Sequence, residues 1–168
     1  MADTATSIDT KAELHKRNLY EVAAMVTAKD FEGPDFNVDL PREAAALETL
    51  AYGRAEELLV KAADNFQKIS FCLARSKSAL AYFSRAAEVR KKTIVGDPGL
   101  RESAKNDAER DRAAYTDKVY LDFLQVIRTA EVVIGYLEPV LRSCDEMLQV
   151  VKKVRDAAWS RESARTRS

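Results

Sequence analysis

Between Lys68 and Lys92 the chain reads KISFCLARSKSALAYFSRAAEVRKK, with no glycine or proline to interrupt a helix. It carries Lys68, Arg75, Lys77, Arg85, Arg90, Lys91 and Lys92 against a single acid, Glu88, with Phe71, Tyr82 and Phe83 threaded among them. Cations hold phosphates without regard to base sequence, and aromatic faces stack on unpaired bases. At 100° per residue Lys68, Arg75 and Arg90 share one face, and Phe71 and Tyr82 lie beside it. Such a helix offers a track for single-stranded nucleic acid, built from Lys68, Phe71, Arg75, Lys77, Tyr82, Arg85 and Arg90. The plainer reading gives the same cations to acids of the protein itself. RESAKNDAERD, just past the next turn, supplies Glu102, Asp107 and Glu109. Three bases at a helix C-terminus also complement the helix dipole.

Other chemistry is hard to assemble from these residues. His15 is the single histidine, on the polar side of an amphipathic stretch, so a zinc site is not expected. Cys72 and Cys144 are far apart, without metal-type spacing, and each fits an apolar helix face as a small hydrophobe. GDPG is a turn rather than a phosphate loop. Acids in DEM and NDAERD lack the Glu-x-x-His spacing of a carboxylate-bridged metal pair. Trp159 reads first as a packing anchor, with a partner contact as the alternative. The expectation is a non-enzymatic protein with no cofactor and no metal.

The elements that must position the basic helix follow from composition. The chain has 168 residues, 46% of them hydrophobic and 32% charged, with only 5 Gly and 4 Pro. This favours long helices and few turns. The 27 basic and 27 acidic residues cancel overall, yet they are segregated. Residues 1–40 and 93–151 are each net −4, and residues 41–92 and 152–168 are each net +4. The most apolar stretch, VYLDFLQVIRTAEVVIGYLEPVL, contains Asp122, Arg128, Glu131 and Glu138, which argues against a membrane helix. The N-terminal MADTATSIDT has neither the basic nor the apolar region of a secretory signal. With two isolated cysteines, a reducing cytoplasm is the expected compartment.

The fold expected is all-α: a long antiparallel helical hairpin with a short N-terminal helix. Residues 1–10 are expected to be disordered. A first helix runs from Lys11 to Ala28, opened by Thr10 and Glu13 at capping-box spacing, and Gly33-Pro34 marks the loop that completes residues 11–40. Residues 41–160 form the hairpin, followed by a basic tail at 161–168. Pro41 to Lys92 reads as one helix of about 78 Å. The second long helix starts near Leu100 and reaches Arg161, with a kink or split at Tyr136–Glu138 ahead of Pro139.

Leu58, Ala62, Phe66, Ile69, Leu73, Leu80, Phe83 and Ala87 fall in one arc of the first long helix. On the second, Val119, Phe123, Val126, Ile127, Ala130, Val133, Ile134, Leu137, Leu141 and Leu148 make a wide stripe. Tyr136, Val140, Met147, Val151 and Val154 broaden it beyond what one partner helix needs. An obligate homo-oligomer is therefore expected, joined through Phe123, Ile127, Ile134, Leu137, Leu141 and Leu148.

LARSKSALAYFSRAAEVRKKTIVGDPG followed by YTDKVYLDFLQVIRTAEVVIGYLEPVLRSCDEML resembles the phage recombination mediator family typified by UvsY. In that family a basic helix with a Lys/Arg–Ala motif ends in an aromatic pair and a Gly-containing loop. An acidic helix and an apolar segment that drives ring assembly follow. The resemblance covers Leu47 to Ala158 as a likeness of layout. It implies single-stranded DNA binding, with a recombinase or single-strand-binding protein as further partners, in a bacterial host cytoplasm if the gene is phage-borne. Arg75 and Lys77 stand where the family's basic motif lies, with serines in place of alternating Lys and Ala, and the extension through Leu40 has no counterpart. The competing expectation is a helical assembly or adaptor protein, such as a viral structural component, whose basic helix meets only acids. A weaker one is a small inhibitor or antitoxin that sets its acidic blocks against a basic partner.

Overall fold

The computed structural model describes residues 3–33, 35–104 and 106–167, all of it helix, turn or loop, with no strand among them. Six helices follow in order: α1 (Asp3–Thr27), α2 (Ala44–Glu48), α3 (Tyr52–Val95), α4 (Pro98–Ser103), α5 (Asp107–Ala114) and α6 (Lys118–Arg165). The long α3 and α6 pack against each other as an all-α helical hairpin. No helix among the described residues is long and apolar enough to cross a membrane.

The chain divides into two compact units. The first comprises Met1–Ala24 and Ala74–Gly135, the second Met25–Leu73 and Tyr136–Ser168. In the first, Phe83, Ala87, Ala114, Tyr120, Val126, Ala130 and Val133 are buried. The Phe83 and Phe123 rings lie 5.6 Å apart between α3 and α6. In the second, Val38, Leu58, Ala62, Leu148 and Val151 form one cluster, with Leu50 and Phe66 packed against it. Leu58, Ala62, Phe66, Phe83 and Ala87 belong to the arc that periodicity drew on the first long helix and Phe123, Val126, Ala130, Val133, Leu148 and Val151 to the stripe on the second, whereas Val38, Leu50, Ala114 and Tyr120 come from outside both.

Boundaries differ from expectation where polar caps outweigh periodicity. α1 begins at Asp3, so the expected disorder is corrected over 3–10, and Thr10 is an interior helical residue rather than a cap. Residues 1 and 2, Pro34 of the Gly33-Pro34 signal, and Ser168 of the expected tail lie outside the described residues. α1 ends with Lys29 in the left-handed region at φ 56°. There the Asp30 N–H donates to Met25 O and the Lys29 N–H to Val26 O, a Schellman ending.

The helix expected from Pro41 is broken at 49–51. The Thr49 hydroxyl donates back to Ala45 O and Ala46 O, and Leu50 O accepts from the Arg161 guanidinium. These bonds satisfy backbone groups that a continuing helix would have used. The second long helix is likewise three pieces. Asp97 accepts from the Leu100 N–H, Asn106 from the Glu109 N–H and Asp117 from the Tyr120 N–H, so each piece starts at an Asx cap. At the other end α6 continues to Arg165, which takes Arg161–Arg165 out of the expected tail. α6 also runs through Pro139 without being split. Pro139 has no N–H to offer the carbonyl of Gly135, and both residues are exposed.

Candidate functional site

The residues expected to meet nucleic acid fall in both units. In the first unit, α1 lies along α3 and engages two of them. Arg75 pairs with Glu21 at 3.6 Å. The Tyr82 ring stacks on His15 with centroids 4.8 Å apart and meets Phe83 edge-on. His15, expected at the surface, is therefore a half-buried ring partner that covers one side of Tyr82.

Arg90 is held most firmly. Its Nε donates to Asp117 Oδ1 at 3.1 Å and its Nη2 to Oδ2 at 2.6 Å. Asp117 is at the same time the cap of α6, accepting from the Tyr120 N–H at 2.8 Å. The hydrogen bond from Arg90, then the backbone donor of Tyr120, holds the Asp117 carboxyl below its ordinary value, and the same bond raises Arg90. The next residue, Lys91, pairs with Asp111 at 3.2 Å, which raises its pKa. Lys92 pairs with Glu88 at 2.6 Å and lowers that carboxyl. Burial, then neighbouring Tyr115, raises the Tyr120 phenol. Lys77 and Arg85 are exposed.

In the second unit, Lys68 places its Nζ 6.0 Å from the centroid of the Phe36 ring, within reach of a cation–π contact. Phe71, one helical turn along, is 59% exposed.

The residues expected to join subunits divide differently. Leu137 is fully buried and Leu148 is 8% exposed, so the interior of a single chain uses both, and they are corrected to core. Phe123 and Ile127 are half-buried and pack against Ala87, Ala114 and Tyr120. Ile134 and Leu141 are half-buried. The apolar side chains that α6 leaves in solvent are others. Val119, Leu121 and Val132 lie in the first unit, and Met147, Val150 and Trp159 in the second. Val132 is the most open of these at 71%. Trp159 meets the Tyr52 ring at 5.1 Å while remaining more than half exposed.

Sequence reasoning missed the Arg90–Asp117 pair and named other acids, Glu102, Asp107 and Glu109, as partners. The legible signal was TDKVYL, an Asx cap ahead of an apolar run. Among the described residues no cluster of His, Cys, Asp and Glu could hold a metal ion. No protein-family model, curated protein or solved structure matches the chain.

Proposed function

We propose that this chain is a non-enzymatic helical assembly or adaptor protein whose basic helix serves the chain's own architecture. One observation carries the reading: Arg90, the C-terminal member of the expected phosphate track, is gripped by both oxygens of the carboxylate that caps α6. Arg75, Lys91 and Lys92 also have acidic partners within their own unit. Self-association is the second half of the proposal. It is supported by Leu121 and Val132 in the first unit and Met147 and Val150 in the second, apolar side chains standing in water on the longest helix. A cytoplasmic location belongs to the same proposal, supported by the two widely separated cysteines, Cys72 and Cys144, which form no disulfide. Sedimentation velocity at micromolar concentration tests it. A species several times the 18.8 kDa chain supports the reading, and a monomer at every concentration contradicts it.

A second reading keeps its own support: an oligomeric accessory protein that binds single-stranded nucleic acid, as a recombination mediator does. Lys77 and Arg85 in the first unit, and Lys68 with Phe71 in the second, are exposed cations and an exposed aromatic of the kind such binding uses. Under this reading the surface ion pair of Arg75 yields to phosphate, since exposed pairs are weak.

A further inference from the structure

In the first unit α3 and α6 leave a groove between them with a volume of about 580 Å³. Tyr82, Ala86 and Val89 of α3 and Val119 and Phe123 of α6 line it. Val89 is 58% exposed and Val119 45%, so this apolar strip stands open to water. Covering it with a second apolar surface is favourable. At one end Arg90 and Thr93 also line a second hollow, of about 360 Å³, with Ile94, Leu100 and Ala113. The two hollows share these walls and make one elongated run. From Tyr82 to Ile94 it follows α3 for about 18 Å at 1.5 Å per residue. A run of this shape suits the apolar face of a helix better than a compact small molecule. It is also separate from the surface assigned to self-association. At 100° per residue Leu121 and Val132 lie on the side of α6 opposite Val119 and Phe123.

Charge selects the occupant. Two arginines line the groove. Arg90 is engaged by both oxygens of Asp117, and the Thr93 hydroxyl donates to Val89 O. Arg85 is exposed and belongs to no ion pair among the described residues. Glu88, three residues on, is paired with Lys92. A carboxylate beside the guest's apolar face complements Arg85, and a cation at the same place is repelled. Asp97 caps α4 in the second hollow, so the guest's acid belongs at the Arg85 end.

We propose that this groove docks an amphipathic helix of a partner protein, with its apolar stripe on Val89, Val119 and Phe123 and a carboxylate on Arg85. The inference rests on the adaptor reading and deepens it by naming the partner's chemistry. The two fail separately, because sedimentation of the parent alone decides self-association and docking is read with an added peptide.

The probes are two fluorescein-labelled designed helices of about 18 residues, about 27 Å long. Both carry leucine at i, i+4, i+7 and i+11. One sets two glutamates beside the stripe, and its twin sets two lysines there. Fluorescence anisotropy with the parent protein is expected to show saturable binding of the glutamate helix, with the lysine twin roughly tenfold or more weaker. Arg85→Glu reverses that preference. Val89→Asp removes binding of both while leaving the helical circular-dichroism signal intact. Equal binding of the twins by the parent, or binding of neither, overturns the proposal. So does a shift of Val89→Asp towards the monomer in sedimentation, which gives the groove to a second copy. Saturable binding of decanoate without binding of the glutamate helix gives it to a lipid chain and overturns the proposal too. The comparison of the twins uses the parent protein and stands even if a variant does not fold.

Discussion

Arg90 and Asp117 form a two-pronged pair, 3.1 and 2.6 Å, in which the carboxylate that starts α6 is also the anchor for the end of α3. One acid thus ties a helix cap to an arginine that sequence reasoning had assigned to a ligand. Because the folded state depresses the Asp117 pKa, the stabilisation it gives is present above the unfolded value of about 3.9 and is lost as pH falls through the folded value. Asp117→Asn keeps a good cap and removes the charge. The parent's advantage in Tm over this variant is therefore expected to be steady from pH 5 to 7 and to shrink below pH about 4. An advantage independent of pH down to pH 3 would show that the pair is not what stabilises this junction.

Core and surface on α6 are separable by mutation. Leu137 is fully buried, and Leu137→Ala is expected to cost about 2–5 kcal/mol in urea unfolding. Val132 is 71% exposed, so Val132→Ala is expected within about 0.5 kcal/mol of the parent. Val132→Asp is expected to leave the helical signal intact while shifting sedimentation towards the monomer. Equal destabilisation at both positions would place Val132 in the chain's interior, against the division drawn above.

The ending of α1 stores strain at Lys29, a residue with a Cβ held at φ 56°. Left-handed backbone costs an L-residue roughly 1–2 kcal/mol, and glycine escapes that cost. Its ion pair with Glu32, 3.8 Å long between exposed groups, contributes little. Lys29→Gly is expected to raise stability by about 0.5–1 kcal/mol after glycine's greater unfolded-state entropy is subtracted. A loss of stability in thermal unfolding would mean that the lysine side chain matters more than its backbone.

Gly96 closes the last turn of α3, and a Cβ placed there would stand 2.9 Å from the backbone oxygen of Lys92. Neither backbone segment can move aside cheaply, so Gly96→Ala is expected to lower Tm, whereas Gly53→Ala, with nothing within 4 Å, is expected to raise it by helix propensity. Thermal melts of the two variants beside the parent decide this, and the reverse ranking contradicts it.

Much of the fold was legible because it rests on periodicity. Leu58, Ala62, Ile69, Phe83 and Ala87 repeat at helical spacing and each is buried, as are Val126, Ala130 and Val133 on the other long helix. What periodicity passed over were the breaks. Thr49, Asn106 and Asp117 end or start helices through side-chain hydrogen bonds to backbone, which leave no mark on an apolar pattern, whereas the turn at Asp97 was legible in GDPG. The candidate site was legible only as an inventory of charge. Which acid takes Arg90, and that His15 covers Tyr82, depends on contacts between residues far apart in sequence. Asn65 drew no notice at all, since nothing in the pattern around a lone polar residue on an apolar arc points to Phe36 O, the carbonyl to which its buried side chain donates.

Arg75, Arg90, Lys91 and Lys92 of α3 are taken up by acids of their own unit, and fluorescence anisotropy of a labelled single-stranded oligonucleotide at near-physiological salt tests most directly whether the helix also serves phosphate. The account predicts no rise in anisotropy up to tens of micromolar parent protein, with Lys77→Glu and Arg85→Glu no different from it. A saturable rise that weakens linearly with the logarithm of salt, with each reversed charge lowering the slope by about 0.7 or more, would contradict it and establish the nucleic-acid reading instead.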